Sequence, residues 1–355
     1  MAQKKRNKLK IMLIVVLCIM FAILFSFIGI GVVRVMGKNS LKDVEVVELP
    51  SLHKETTNQL ESQTEEVLKP GQVSYQNKVY EYNEDLLTFL CLGVDSRQAI
   101  QLDKTPGKGG QADTIILVVL DEVNKTLKMV NLSRDAIVNV EVYDENGIYN
   151  ETVEEQIALQ YAYGDGKEKS CELMVTVVSD VFYGIPIHGY GAIDVNAVAD
   201  LNDAIGGVEV TVIEDLSRFT DRLALGNTIT LSGREALHYV QERDVYSDEL
   251  GANNLRIERQ KQYLMQFFNK AISATKEDLG VPVTLYDVAI KNMVTDITVD
   301  EMVYLSTLLI DTSFSEEDMM SVLGTVEKNG NYEEFIIDED KLFDLMIEVF
   351  YREVS

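Results

Sequence analysis

Apolar positions fall along the chain in two rhythms. Ile11 to Val33 runs 23 residues without a charge, long enough for a helix to cross a bilayer core. Leu86–Val94 is apolar at both alternating sets of positions, which predicts a central strand buried on two faces. Ile115–Leu120 and Leu127–Leu132 are two further strand-like runs, and the turn Asp121–Thr126 pairs them antiparallel. Ile137–Tyr143 alternates as a half-exposed strand does. Helical spacing follows over Glu151–Tyr163 and Glu168–Phe182, where Leu173, Val177, Val178 and Val181 share a face. Gly184-Ile185-Pro186 ends the second of these helices. A short helix, Asn196–Ile205, stops at Gly206-Gly207, and Val208–Val212 returns as a strand. Ser232-Gly233-Arg234-Glu235 is a capping box that starts a helix through Gln241, and a long helix covers Leu255–Ala274. After Gly280 come short helices at Leu285–Lys291, Val299–Ile310 and Glu316–Met320, a strand-like Ser321–Val326 and a final helix Glu339–Arg352. Strands and helices interleave, so the class is α/β in layers.

Charge changes the picture at the N-terminus. Residues 1–38 carry seven bases and no acid, so the remainder holds 25 bases against all 58 acids, a formal charge of −33. Bases ahead of residue 11 place that end in the cytoplasm and the body outside the membrane. The expected organisation is a basic tail (1–10), a membrane-spanning signal anchor (11–33), an acid-rich stalk (34–85), a main domain (86–275) and a C-terminal portion (276–355) that completes it or forms a small subdomain. A body this acidic is no partner for nucleic acid, whose binding needs clustered Lys and Arg. Cys91 and Cys171 lie in apolar surroundings and read as small buried side chains. Cysteine and histidine spacings suit no zinc site, and phosphate-loop, dinucleotide and nucleophile-elbow motifs are absent from the sequence.

The chemistry gathers at strand ends. The first run breaks at Asp95-Ser96-Arg97, the second opens at Asp113-Thr114 and the third stops at Ser133-Arg134-Asp135. Carboxylates and arginines at neighbouring strand ends can form a metal and phosphate site. On the long helix, Arg256, Arg259 and Gln260 stand at i, i+3 and i+4 near the N-terminus, where the helix dipole favours an anion.

In this order the segments Leu92–Arg97, Ala112-Asp113-Thr114, Ser133-Arg134-Asp135, Tyr161–Gly164, Gly184–Ile187, Gly206–Val210, Leu231–Leu237 and Arg256–Gln260 resemble the LytR-CpsA-Psr family of bacterial cell-envelope enzymes over residues 86–275. The resemblance implies an extracytoplasmic α/β/α sandwich with a mixed central sheet on a single membrane-spanning helix. It implies transfer of a glycopolymer, wall teichoic acid or capsular polysaccharide, from a polyprenyl-pyrophosphate carrier to peptidoglycan. Asp95 and Asp113 would hold Mg²⁺, with Arg134, Asp135 and Asp113 as the catalytic group. Arg243, Arg256 and Gln260, with Arg97, Arg259, Gln111 and Gln241, would line the phosphates. The carrier lipid would need a tunnel, walled by the Glu168–Phe182 helix or the apolar strands. Three segments depart from the family pattern: Gly110–Thr114 has Gln111 where the family often carries Arg, Gln156-Ile157-Ala158 lacks a Lys, and Tyr239–Arg243 has Gln241 in place of Arg, with an added acid at Glu242. A weakened polyprenyl-phosphate-binding relative acting in envelope regulation is the alternative these departures support; a polyprenyl-pyrophosphate hydrolase, using the same site with water as acceptor, is a further one.

Overall fold

The computed structural model describes residues 33–41, 50, 68–95, 110–144, 146–242, 252–312, 314–329 and 332–354. After a helix at 33–41, here α1, come β1 (Gln72–Tyr75), β2 (Lys78–Tyr82), β3 (Leu86–Asp95), β4 (Gln111–Asp121), β5 (Thr126–Leu132), β6 (Ile137–Tyr143) and β7 (Tyr149–Gln156). Then follow α2 (Ala158–Ala162), α3 (Glu168–Val181), β8 (Gly189–Asp194), α4 (Ala197–Ala204), β9 (Glu209–Thr211), β10 (Thr228–Thr230), α5 (Gly233–Gln241), α6 (Ala252–Glu277) and α7 (Val281–Ala289). The chain closes with β11 (Met293–Thr295), α8 (Val299–Leu309), β12 (Met319–Ser321), β13 (Gly324–Asn329), β14 (Tyr332–Ile337), α9 (Glu339–Phe350) and β15 (Tyr351–Glu353).

Six strands form the main sheet in the order β11-β8-β3-β4-β5-β12. It is mixed: β3 runs parallel to β8 and antiparallel to β4, β4 is antiparallel to β5, and β5 is parallel to β12. Helices cover both faces. Leu90, Leu92 and Val94 of β3 point into one core, packed by Tyr161 of α2, Met174 and Val178 of α3, and Met346 and Phe350 of α9. Leu87 and Phe89 point the other way, toward Tyr304 and Leu308 of α8 and Leu41 of α1. The apolar alternation on both faces of Leu86–Val94 is thus what a strand sandwiched between two helical layers requires. A third cluster, with Val208, Val210, Leu231 and Tyr239, sits under α5 and α6.

Several expectations on boundaries are corrected. Glu151–Gln156 is not helical: it is β7, the outer half of a hairpin with β6 whose register runs from Ile137↔Gln156 to Tyr143↔Tyr149. Most of β7 is exposed, so its spacing carried no burial signal. Helix begins only at α2. The stretch read as stalk contains β1 and β2, which form a sheet with β15 at the other end of the chain, and Val73 and Tyr82 enter the main core. Gln76 and Asn77 turn the β1–β2 hairpin with φ of 49° and 62°, the mirror-image turn that matches strand twist. Of the portion after residue 276, β12 joins the main sheet and α9 joins its core, so this segment is part of the same layered body. Glu316–Met320 is a single 3₁₀ turn running into β12. No described helix is long and apolar enough to cross a membrane, and residues 11–32 of the expected anchor lie outside the described residues.

Candidate active site

Antiparallel pairing brings the end of β3, the start of β4 and the end of β5 to one edge of the sheet. The three charged strand ends therefore meet. Near that edge the register jumps: Gly93 faces Thr114 but Val94 faces Ala112, leaving Asp113 without a cross-strand partner. It is the extra residue of a β-bulge, a device that re-aims one side chain. Asp95 follows, opposite Gln111.

Arg134 is the hub of this edge. Its Nη1 pairs with Asp113 Oδ1. Nε lies 3.3 Å from Asp135 Oδ1, and Nη2 donates to Gln111 Oε1 at 3.3 Å. The guanidinium, Asp113 and Asp135 are each about one quarter exposed. A planar fork held by two carboxylates and an amide keeps its direction, and it remains partly exposed on the wall of a cavity. The backbone around it is fixed by Ala158 N donating to Arg134 O (3.1 Å), Ile157 N to Ala136 O (2.8 Å) and Phe335 N to Asp135 O (2.8 Å).

This edge is one end of a cavity of about 2860 Å³. Drug-sized pockets occupy roughly 300–1,000 Å³, so the space suits a long chain better than a compact molecule. Gln111, Asp113, Arg134, Asp135, Gln241, Arg256 and Gln260 all line it, so the later helices complete the site begun by the strands. Gln260 is held by a 3.0 Å bond from its Nε2 to Val240 O. Beyond the charged end the walls are apolar: Phe89, Cys91, Ile116 and Val118 from the sheet, Leu264 and Phe268 from α6, Leu285 from α7 and Leu305 from α8. The strands are the expected wall, but α3 is not, because it packs on the opposite face of the sheet. Cys91, expected to be a core residue, instead projects into the cavity. Its surroundings desolvate the thiol and push its pKa up to about 11. Cys171 is buried, and both cysteines are free.

Arg259 does not share the face of Arg256 and Gln260. Its side chain is fully buried. It donates to Tyr239 O and Glu242 O and pairs with Glu214 (Nε–Oε2 2.9 Å), tying α6 to the end of α5. Two residues at i and i+3 diverge by about 60° on a helix, enough to send one into the cavity and the other into the core. Arg97 and Arg243 lie outside the described residues, as does the side chain of Asp95.

Other lining residues escaped the sequence. Glu333, Glu334 and Phe335 of β14, with Glu155 and Gln156 of β7, wall the charged end, and Gln156 Nε2 donates to Glu333 O at 2.8 Å. Their signal is tertiary: Ala136 bridges to Phe335 across 199 residues, which no local pattern encodes. Glu242 also lines the cavity and contacts His238 (3.2 Å) and Arg218 (3.8 Å).

Comparison with known proteins agrees with this architecture. TagV of Bacillus subtilis (strain 168), a polyisoprenyl-teichoic acid–peptidoglycan teichoic acid transferase, is 24% identical over 277 residues, 76% of this chain and 65% of TagV. TagU of Bacillus cereus, of the same description, is 29% identical over 216 residues, 61% of this chain and 62% of TagU. The chain thus spans somewhat under two thirds of the length of these two relatives. TagU of Enterococcus faecalis is 24% identical over 326 residues, 91% of this chain and 93% of the relative. Among solved structures, B. subtilis TagV superposes with a TM-score of 0.56 at 23% identity, over 75% of this chain and 96% of that one. TagT bound to LI-WTA does so with a TM-score of 0.55 at 24% identity, over 75% and 90%. The LytR_cpsA_psr family profile matches residues 47–348, wider at both ends than the motifs alone indicated. The chain belongs to the LytR-CpsA-Psr family.

Proposed function

We propose that the protein is a membrane-anchored, extracytoplasmic phosphotransferase that moves a glycopolymer, wall teichoic acid or capsular polysaccharide, from a polyprenyl-pyrophosphate carrier to peptidoglycan. The observation that carries this reading is the cavity, with a fork of arginine and carboxylates at one end and apolar walls beyond. A polyprenyl pyrophosphate has the same two-part character. In the reaction an acceptor sugar hydroxyl forms a bond to the glycan-side phosphorus, and the bridging P–O bond breaks. Polyprenyl phosphate leaves, and the hydroxyl proton passes to a carboxylate of the site. Arg134 would hold phosphate oxygens through bidentate bonds, with Asp135 orienting it. Arg256, Gln260, Gln111 and Gln241 supply donors around the same end, and Arg97 and Arg243 are proposed to join them from their loops.

Mg²⁺ is the proposed cofactor. Asp113, exposed to the cavity by its bulge, and Asp95 offer the one or two carboxylates that this ion takes when phosphates and water supply the remaining ligands. When bound it would neutralise phosphate charge. The amides at Gln111 and Gln241 and the acid at Glu242 on the cavity wall favour a second reading, a carrier-binding protein without turnover. Full-length protein in vesicles, given Mg²⁺, a lipid-pyrophosphate glycan and peptidoglycan oligomers, separates the two. Polymer joined to peptidoglycan supports transfer, and release of free glycan phosphate alone indicates hydrolysis. Carrier bound with neither product, unchanged by Asp113→Ala, would leave only the binding role.

A further inference from the structure

We propose that the exposed side of α7 and the start of α8, together with α1, form a surface that lies in the membrane interface and sets the apolar end of the cavity against the bilayer. The proposal rests on reading residues 11–33 as a membrane anchor, which α1 continues without a break in sequence.

Alpha-1 is docked on the body, not held away from it. Leu41 is 1% exposed, in the cluster with Phe89, Leu120, Tyr304 and Leu308. One turn earlier, Gly37 lies against the first turn of α8 so closely that a Cβ there would come within 2.2 Å of Asp300 O. Only glycine permits that approach. Lys38 Nζ sits over the Tyr304 ring at 5.8 Å. The chain that leaves the anchor therefore reaches the body at the start of α8.

Several apolar side chains around this junction are exposed. Val35 and Met36 of α1 are each 58% exposed, and Val299, next to Asp300, is 49% exposed. On α7, which packs on α8, Val283 and Ile290 are 37% and 46% exposed at helical spacing i, i+7, and Leu279 just before it is 62% exposed. Elsewhere around α7, Leu285, Tyr286 and Ala289 line the cavity, and on α8 Met302 and Leu305 do. Thr284 and Asp287 share the exposed side of α7, and on α8 exposure is confined to Val299 at its start, since Tyr304 and Leu308 are buried in the cluster that holds Leu41. The rim of the junction is thus amphipathic, as a face lying in the plane of an interface is. Among the described residues these apolar side chains have no cover. Where the anchor joins the body identifies the cover as the bilayer, with the exposed Arg34 and Lys38 beside it at the level of the headgroups.

The chain contains no tryptophan, so single reporters are clean. Full-length Val283→Trp, Ile290→Trp and Val299→Trp would be reconstituted in vesicles of phosphatidylglycerol and phosphatidylethanolamine. The control reporters are Ile148→Trp and Leu225→Trp, exposed in the β6–β7 and β9–β10 connections and outside the cavity lining. An interfacial face lies roughly 5–10 Å into the headgroup boundary. Lipids brominated high on the acyl chain should therefore quench and blue-shift the first three reporters and leave the controls unchanged. Adding Gly37→Leu should abolish the quenching while the protein still floats with the vesicles. Vesicle-bound protein in which the three reporters match the controls would overturn the docking and leave the anchor intact. Protein that does not float with vesicles would overturn the anchor and the docking with it.

Discussion

Arg259→Met tests whether this buried arginine holds the site's framework together or serves the phosphates directly. The substitution keeps a long apolar stem and removes the guanidinium. It breaks the pair with Glu214 and withdraws two donors from the carbonyls of Tyr239 and Glu242. Removing one partner of a buried ion pair costs about 3–5 kcal/mol, because the other charge stays behind unpaired. Glu214 keeps 13% exposure, so some water can reach its carboxylate and the lower part of that range applies, about 3–4 kcal/mol. At about 2–4 °C per kcal/mol for a chain of this size, the thermal midpoint should fall by roughly 6–16 °C. Circular dichroism of full-length protein in detergent would measure it. Glu214→Gln combined with Arg259→Met should cost less than the two single changes added, since the stranded carboxylate is gone. A midpoint lowered by less than about 1 kcal/mol equivalent, with transfer nonetheless lost, would refute the structural role and return Arg259 to the phosphates.

Other expectations follow from the same geometry. Arg134→Gln should lower the rate of glycan transfer by about 2–4 kcal/mol in barrier, or roughly 30- to 800-fold, with little change in thermal midpoint; an unchanged rate would remove Arg134 from the reaction. Cys91 should alkylate slowly with iodoacetamide at neutral pH and reach half its limiting rate only near pH 11, and polyprenyl phosphate should protect it, as mass spectrometry of its peptide would show. His188 is held neutral by burial, its pKa pulled below the ordinary value, and its Nδ1 accepts from Thr88 N at 3.0 Å. The unfolded chain then binds the extra proton first, so this residue's contribution is full above about pH 6.5 and is lost as pH falls below it. Denaturant titrations from pH 8 to 5 should show that slope, reduced in His188→Asn.

What could be read from the sequence was what is local. Leu86–Val94 announced a central strand because both of its faces needed cover, and Ser232 with Glu235 announced a helix start that the structure reproduces as a reciprocal cap. Strand punctuation located Asp113 and Arg134 because charged residues at strand ends stand out against apolar runs. Beta-7 was misread because a strand exposed on most of its length leaves no apolar rhythm, and acids at Glu151, Glu154 and Glu155 fit a helix surface equally well. The burial of Arg259 was not legible because spacing gives an angle around a helix but not which neighbour waits there. The walls contributed by β14 depend on a contact between distant parts of the chain and had no local trace.

Beta-15 pairs with β2 through Tyr351↔Tyr82, Arg352↔Glu81 and Glu353↔Tyr80, and Arg352 also reaches Asp85 at 3.2 Å. This last strand is thereby latched to the strand that leads into the core, and Tyr82 and Tyr351 meet edge-on at 5.9 Å behind the latch. Fraying at either end of the chain must undo the same few bonds. The resistance of β2 to opening therefore depends on residues some 270 positions away. Hydrogen exchange should accordingly show β2 and β15 opening together as one cooperative unit.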